Sequence, residues 1–105
     1  MAPHDHFRVR DSLIDLKVRS TDTGWTADVT VMATPVTRHT VRLSRAEYER
    51  YGKGDVEALV RRTFAFLLAR EPNTSILPDF TLSTVEHYYP EFAREFRRAP
   101  RPPSR

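Results

Sequence analysis

The stretch VEALVRRTFAFLLAR, residues 56–70, decides the fold of this chain. Mostly apolar residues recur in it at the i, i+3, i+4 and i+7 positions, which is the pattern of an amphipathic α-helix. The stripe consists of Val56, Leu59, Val60, Thr63, Phe64, Leu67 and Leu68. Asp55 can cap the start of this helix, and Pro72 ends it because the proline ring clashes with a further turn. A helix with one wide apolar face needs another layer to cover it.

Residues 1–43 are predicted to supply that layer, because apolar and polar residues alternate there with the period of a half-buried β-strand. The inward positions are Ile14, Leu16 and Val18 in a first strand, Trp25, Ala27, Val29, Val31 and Ala33 in a second, and His39, Val41 and Leu43 in a third. Short connections favour antiparallel neighbours. We therefore expect an α+β fold, with a three-stranded antiparallel meander on one main helix and an optional extra strand near residues 7–10.

Short helices are predicted on either side of the main helix. The capping box Ser44-Arg45-Ala46-Glu47 begins a helix that ends near Tyr51. A second capping box, from Ser83 to Glu86, begins another near the C-terminus, and Pro90 fits the first position of a last helix that ends near residue 98. Residues 73–80 between them are interpreted as a loop. We expect a flexible terminus over 1–6, a single domain over 7–98 and a disordered Pro- and Arg-rich tail over 99–105.

The length and composition of the chain exclude several classes of function. A chain of 105 residues forms one small soluble domain, which excludes large multi-step enzymes. With no cysteine, the chain lacks disulfides, thiolate metal sites, iron–sulfur clusters and a thiol nucleophile. The longest apolar run, residues 64–69, is far shorter than the roughly 20 residues that span a bilayer. We expect a cytoplasmic protein with no cofactor, no metal and no contact with a membrane.

The net charge of +3 raises the alternative of nucleic-acid binding. The excess lies at the C-terminus, where Arg97 and Arg98 begin a segment without acidic residues. The outer face of the predicted sheet carries four further cations: Lys17, Arg19, Arg38 and Arg42. These side chains are candidate phosphate contacts. The competing interpretation is a solvated face on which Asp15 and Asp28 pair with the arginines across strands.

Aromatic residues suggest a second surface. Phe66 lies off the main stripe of its helix, so it must pack against either the C-terminal helices or another chain. Near the C-terminus, Tyr88, Tyr89, Phe92 and Phe96 either close the last helix over the core or form an exposed partner surface. Phe66 is therefore a candidate binding residue. Together with the two open edges of a three-stranded sheet, it makes a homodimer a reasonable hypothesis.

Catalysis has one candidate, His87, with Glu71 or Glu86 as its carboxylate partner. Consecutive helical residues point about 100° apart, so Glu86 is poorly placed to orient the neighbouring imidazole. The chain has neither a nucleophile elbow nor a glycine-rich phosphate loop. We therefore predict no enzymatic activity, and keep a small enzyme that uses His87 as the second alternative.

The C-terminal half carries Arg-Glu-Pro at residues 70–72, Ser-Ile-Leu at 75–77 and an aromatic-Pro-Glu step at 89–91. These motifs resemble a pattern found in small uncharacterised bacterial proteins. The resemblance implies a bacterial source and a compact domain, and carries over no functional residue. The sequence as a whole predicts a non-catalytic protein-binding or regulatory domain, with nucleic-acid binding as the first alternative.

Overall fold

The computed structural model describes residues 13–52 and 54–97. These residues form a mixed α+β domain with a four-stranded sheet and four α-helices, so the predicted fold class is confirmed. In chain order the elements are β1 (Ile14–Ser20), β2 (Gly24–Val31), β3 (Thr37–Ser44), α1 (Arg45–Tyr51), α2 (Val56–Leu68), a 3₁₀ turn (Asn73–Ser75), β4 (Asp79–Thr81), α3 (Leu82–Tyr88) and α4 (Glu91–Arg97). The predictions for residues 1–12 and 98–105 lie outside the described residues.

The three predicted strands are present and pair antiparallel in chain order. Ile14 lies opposite Val31 in the β1–β2 pair, and Gly24 lies opposite Ser44 in the β2–β3 pair. The alternation also places the expected side chains inward, where seven are buried: Leu16, Ala27, Val29, Val31, His39, Val41 and Leu43. The period-two pattern therefore predicted both the strands and the face that they bury.

The sheet has a fourth strand that the sequence did not predict. β4 falls in the segment interpreted as a loop, and it pairs parallel to β3 with Phe80 opposite Val41. The backbone N–H of Thr40 also donates to the carbonyl oxygen of Pro78 at 2.7 Å. Three residues are too few to show an alternation, and parallel pairing joins segments that are distant in the chain. The predicted three-stranded sheet is corrected to four strands, in the order β1-β2-β3-β4.

Helix α2 lies on the apolar face of this sheet. Leu59, Val60, Thr63, Phe64 and Leu67 are buried, as the stripe predicted. The Phe64 ring packs against the rings of His39 in β3 and Phe80 in β4, and Arg61 donates to the carbonyl oxygen of Ile14 at the start of β1. The polar member of the stripe, Thr63, donates its hydroxyl to the carbonyl oxygen of Leu59, so its burial leaves no unpaired group.

The opposite side of α2 packs against α4. The ring of Phe66 contacts the rings of Tyr89, Phe92 and Phe96 edge-on, and Phe66 is 6% exposed. The guanidinium of Arg70 stacks 3.6 Å from the centre of the Phe66 ring. Of the two surfaces expected for Phe66, the structure therefore shows the C-terminal helices. Phe66 therefore belongs to the core of this structure, and its predicted role in binding another chain stays a prediction.

The second capping box is also corrected. α3 begins at Leu82, with Thr81 as its N-cap, because the Thr81 hydroxyl accepts from the backbone N–H of Thr84. Ser83 instead uses its backbone N–H and its hydroxyl to donate to the Glu47 carboxylate, at 2.9 and 2.7 Å. Glu86 accepts a hydrogen bond from the Tyr51 hydroxyl rather than turning back toward a cap. Both partners belong to α1, which a local motif cannot reveal.

Glu47 therefore joins the starts of two helices. One carboxylate oxygen closes the capping box of α1 by accepting from the Ser44 N–H at 2.9 Å, and the other accepts from Ser83 at the start of α3. Burial of this carboxylate raises its pKa, but the hydrogen bonds from Ser44 and Ser83 outweigh that effect. The pKa of Glu47 consequently lies below its ordinary value of 4.5.

Replacing Phe66 should separate α4 from α2. We expect Phe66→Ala to lower the free energy of unfolding by about 3–5 kcal/mol, because it leaves a cavity among three other rings. Urea denaturation measures this loss. Ala65→Ser, at the exposed neighbouring position of the same helix, serves as the control and should change stability by less than about 0.5 kcal/mol. A Phe66→Ala chain as stable as the wild type would contradict the described packing.

Replacing Glu47 should make the free energy of unfolding less dependent on pH in the acidic range. The lowered pKa means that the carboxylate stabilises the fold above about pH 4.5 and loses that contribution as the pH falls through its folded-state pKa. Glu47→Gln should cost about 1–3 kcal/mol at neutral pH, because an amide nitrogen cannot accept from Ser83. Urea unfolding of both proteins across this pH range should show the difference narrowing below about pH 4.5. A constant difference would contradict the assignment.

Candidate functional site

The outer face of the sheet holds the four cations predicted there, but two of them are in ion pairs. Arg19 contacts Asp28 at 2.5 Å across the β1–β2 pair, as the competing interpretation expected. Arg42 contacts Asp79 at 2.7 Å, and this partner became available only because β4 joins the sheet. All four side chains are more than half exposed, so each pair contributes little to stability. The two ion pairs do lower the positive electrostatic potential of the outer sheet face, and they therefore reduce its attraction for a polyanion.

The remaining predicted cations are not brought together. Lys17 and Arg38 have no ion-pair partner among residues 13–52 and 54–97, and they lie on non-adjacent strands, β1 and β3. Arg97 is the last residue of α4, in the helical layer on the opposite side of the sheet. Arg98 lies outside the described residues. The predicted site residues that the structure describes therefore lie on separate surfaces, and their role in binding stays a prediction.

The predicted acid–base pair is not assembled either. The side chain of His87 is exposed and packs edge-on against the ring of Tyr88, outside the cleft described below. Glu86 is bound to Tyr51, and Glu71 lines the cleft that His87 does not reach. Glu86 and His87 are consecutive residues of a helix, so their side chains point in directions about 100° apart.

A cleft of about 280 Å³ opens where the end of α2, the 3₁₀ turn, β4 and α3 meet. Its walls are mainly carbon, from Leu67, Ile76, Leu77, Phe80, Val85 and the rings of Tyr88 and Tyr89. The polar groups that line it are the Glu71 carboxylate and the hydroxyls of Ser75 and Thr84, besides the two phenols. The fold therefore leaves an apolar depression with a single anionic group.

The rim of this cleft exposes apolar side chains to water. Leu77 is 42% exposed and Tyr88 is 63% exposed. Within the described part of the chain the other large apolar residues with high exposure are Met32 and Val36, in the connection between β2 and β3. Single exposed apolar residues are common on protein surfaces. Two exposed apolar residues that line the same apolar cleft form a local apolar patch, which is typical of interaction sites.

A buried polar network fixes the loop that forms one wall of the cleft. Asn73 donates to the carbonyl oxygen of Pro35 and to the hydroxyl of Thr37, both at 2.8 Å. The two ring nitrogens of His39 lie 2.8 Å from the carbonyl oxygen of Leu77 and 2.9 Å from the Thr37 hydroxyl. Because a carbonyl only accepts, Nδ1 of His39 must carry the proton toward Leu77. The wall is thus bound to the sheet rather than left as a free loop.

The charge of Glu71 is not cancelled by a neighbouring cation. The adjacent Arg70 is committed elsewhere, with Glu91 at 3.3 Å, Glu95 at 3.4 Å and the carbonyl oxygen of Phe66 at 2.9 Å. Glu71 itself has no ion-pair partner among the residues that the structure describes, and it interacts with the Tyr89 hydroxyl. Desolvation of this phenol, reinforced by its hydrogen bond with Glu71, raises the pKa of Tyr89.

Part of the lining of this cleft coincides with a distinctive stretch of the sequence. Five of the ten lining residues lie in the three motifs quoted for the bacterial resemblance: Glu71, Ser75, Ile76, Leu77 and Tyr89. The segment combines exposed and buried apolar residues within a few positions, without a helical or strand period. Without such a period, the sequence does not show which apolar residues of this loop face the core, because its contacts with the sheet are made by residues distant in the chain.

Comparison with known proteins gave no match: no family model fits the chain, and neither a curated protein nor a solved structure is similar to it. Among the described residues, no three histidine or acidic side chains come close enough to hold a metal ion. In the same part of the chain, every helix is too short or too polar to cross a membrane. The site therefore has to be interpreted from its own chemistry.

Removing the Asn73 side chain should loosen the wall of the cleft. Asn73 is 7% exposed, and Asn73→Ala leaves the Pro35 carbonyl without its donor. We expect a loss of about 1–3 kcal/mol in the free energy of unfolding. Thr74→Ala, at the exposed next position, is the matched control and should leave stability nearly unchanged. Equal effects of the two substitutions in urea denaturation would rule out the network as the anchor of this loop.

Proposed function

We propose that the protein is a non-catalytic protein-binding domain, and that its cleft receives an apolar side chain or a short apolar segment of the partner. The observation that carries this proposal is the apolar depression flanked by exposed Leu77 and Tyr88. A partner that covered these side chains would remove apolar surface from water, which is the main driving force of protein association. Exposed aromatic residues such as Tyr88 are frequent anchors of such contacts, because a partner can bury their rings.

The cleft is large enough for an apolar side chain or a short apolar segment of a partner, and it is already formed in this structure. Its volume of about 280 Å³ lies at the lower end of the range of about 300–1,000 Å³ that is usual for enclosed small molecules and cofactors. Its wall is also held in place by the His39 and Asn73 network, so the depression exists before a partner arrives. A pre-formed site lowers the ordering cost of binding.

The chemistry of the lining supports a binding role over a catalytic one. Ser75 and Thr84 contribute hydroxyls, but no histidine lines the cleft to activate them as nucleophiles. Glu71 is the only carboxylate in the lining, and it interacts with a phenol rather than with a second acid or base. These groups suit the recognition of a polar or cationic atom beside an apolar one.

Nucleic-acid binding has less support. The outer sheet face presents four cations against three carboxylates, from Asp15, Asp28 and Asp79, and two of the cations are engaged in ion pairs. Its remaining inter-strand positions carry threonines, which offer no ring for stacking against a base.

Selection of peptides from a random phage-displayed library against the immobilised full chain tests the proposal. We expect the selected peptides to share an apolar residue and to bind the wild-type chain. Leu77→Ser and Tyr88→Ser should each weaken their binding about tenfold or more, because each removes about 1–3 kcal/mol of buried apolar contact. Fluorescence polarisation with the synthetic peptides measures the dissociation constants.

Met32→Ser and Val36→Ser are matched controls, since they remove comparably exposed apolar side chains away from the cleft. Peptides that bind all four variants equally, or the absence of any binder, would refute the proposal. Steeply salt-dependent binding of single-stranded DNA that is lost in a Lys17→Gln/Arg38→Gln variant would favour the nucleic-acid alternative in its place.

A further inference from the structure

We propose that the cleft binds residues 98–105 of a second copy of this chain, so that two molecules form a symmetric dimer by exchanging their C-terminal segments. This inference rests on the protein-binding function proposed above and names the occupant of the cleft. It is carried by four observations: the open aromatic cleft, the uncompensated charge of Glu71, the composition of residues 98–105 and the direction in which α4 runs.

The composition of the segment complements the cleft. Residues 98–105, Arg-Ala-Pro-Arg-Pro-Pro-Ser-Arg, contain three prolines and three arginines and no acidic residue. Proline-rich segments with a P-x-x-P spacing, here Pro100 and Pro103, bind to aromatic-lined grooves in the polyproline II conformation. The cleft offers the rings of Tyr88 and Tyr89 beside Leu77. A proline ring has no side-chain rotamers to lose when it packs between them, so its binding costs little entropy.

The periodicity of this conformation also fits the charge in the cleft. Polyproline II has three residues per turn, so it places Pro100 and Pro103 on one face and Arg98 and Arg101 on the next. With the prolines against Tyr88, an arginine is brought to the side of the groove where the Glu71 carboxylate lies. An arginine can bind a carboxylate through two parallel N–H groups, which fixes the register of the segment.

The direction of α4 favours a second copy over docking within one molecule. Tyr89, just before α4, lies against Phe66 beside the cleft, whereas Phe96 near its end packs 4.4 Å from the guanidinium of Arg62, one turn earlier on α2. The seven residues of α4 carry the chain about 10 Å along α2 and away from the cleft. A segment that continues in the direction of α4 leads away from its own cleft. Because each copy carries both a cleft and a segment, mutual exchange between two copies closes into a two-fold dimer.

Sedimentation velocity of the full-length chain over a wide concentration range tests the inference. The wild type should change from the 12.2 kDa monomer to a species of twice that mass. A cleft variant, Tyr88→Ser, and a segment variant, Pro100→Ala/Pro103→Ala, should each raise the dimer dissociation constant about tenfold or more. Glu71→Gln should weaken the dimer and reduce its sensitivity to salt, because the screened ion pair is lost. Met32→Ser should have no effect.

A mixing experiment separates exchange between molecules from docking within one. A cleft variant still has an intact segment, and a segment variant still has an intact cleft, so their mixture should recover hetero-dimers through one functional contact. Energy transfer between dyes on the two variants detects these dimers. The inference would be overturned if both variants dimerised with the dissociation constant of the wild type, or if the wild type stayed monomeric at high micromolar concentration.

A synthetic peptide of residues 98–105 keeps the two proposals apart. If the wild type is monomeric and this peptide still shifts the NMR signals of Leu77 and Tyr88, the cleft binds the segment without a second copy, and the dimer is wrong while the binding site stands. If the peptide is silent but library peptides bind the cleft, the protein-binding function stands and its proposed occupant is wrong. If neither binds, both proposals fail.

Discussion

The burial of α2 on two sides is the constraint on which the rest of the structure depends. A chain of this length has a single hydrophobic core, and α2 lies in its centre, with Phe64 against the sheet and Phe66 against α4. Neither side could be left open, because each buries a phenylalanine worth about 1.5–3 kcal/mol in transfer free energy. The sheet and the C-terminal helices are therefore two halves of one core that share the same helix.

Polar groups then determine where the connecting segments run. Glu47 links the starts of α1 and α3, Arg70 joins α2 to α4, and Asn73 ties the loop after α2 to the turn between β2 and β3. Glu47 and Asn73 are buried, and a buried polar group without its partner costs more than a typical hydrogen bond contributes, so these two contacts exclude alternative paths of the chain. Apolar burial alone would accept many arrangements of residues 69–90, and the Glu47 and Asn73 links restrict them.

The sequence predicted what depends on local periodicity and missed what depends on distant partners. The stripe on α2, the three long strands, the Ser44 cap and the Arg19–Asp28 pair all follow from spacing along the chain or across adjacent strands. β4 has three residues and a parallel partner, and the start of α3 is set by Thr81 and by Glu47, so neither could be recognised locally. The cleft was missed for the same reason, because its walls come from four elements whose packing no single segment encodes.

The cleft follows from how the loop after α2 is anchored. Its links with the sheet run through the backbone and the Asn73 side chain: the Leu77 carbonyl binds His39, and Asn73 binds the turn before β3. These bonds hold Ile76 inward at 5% exposure and leave the Leu77 side chain facing outward. A chain selected only for stability could carry polar residues at 77 and 88 at no cost to the core, because neither side chain is buried. The proposed partner would cover both side chains, and the geometry that exposes them at the cleft is enforced by the buried His39 and Asn73.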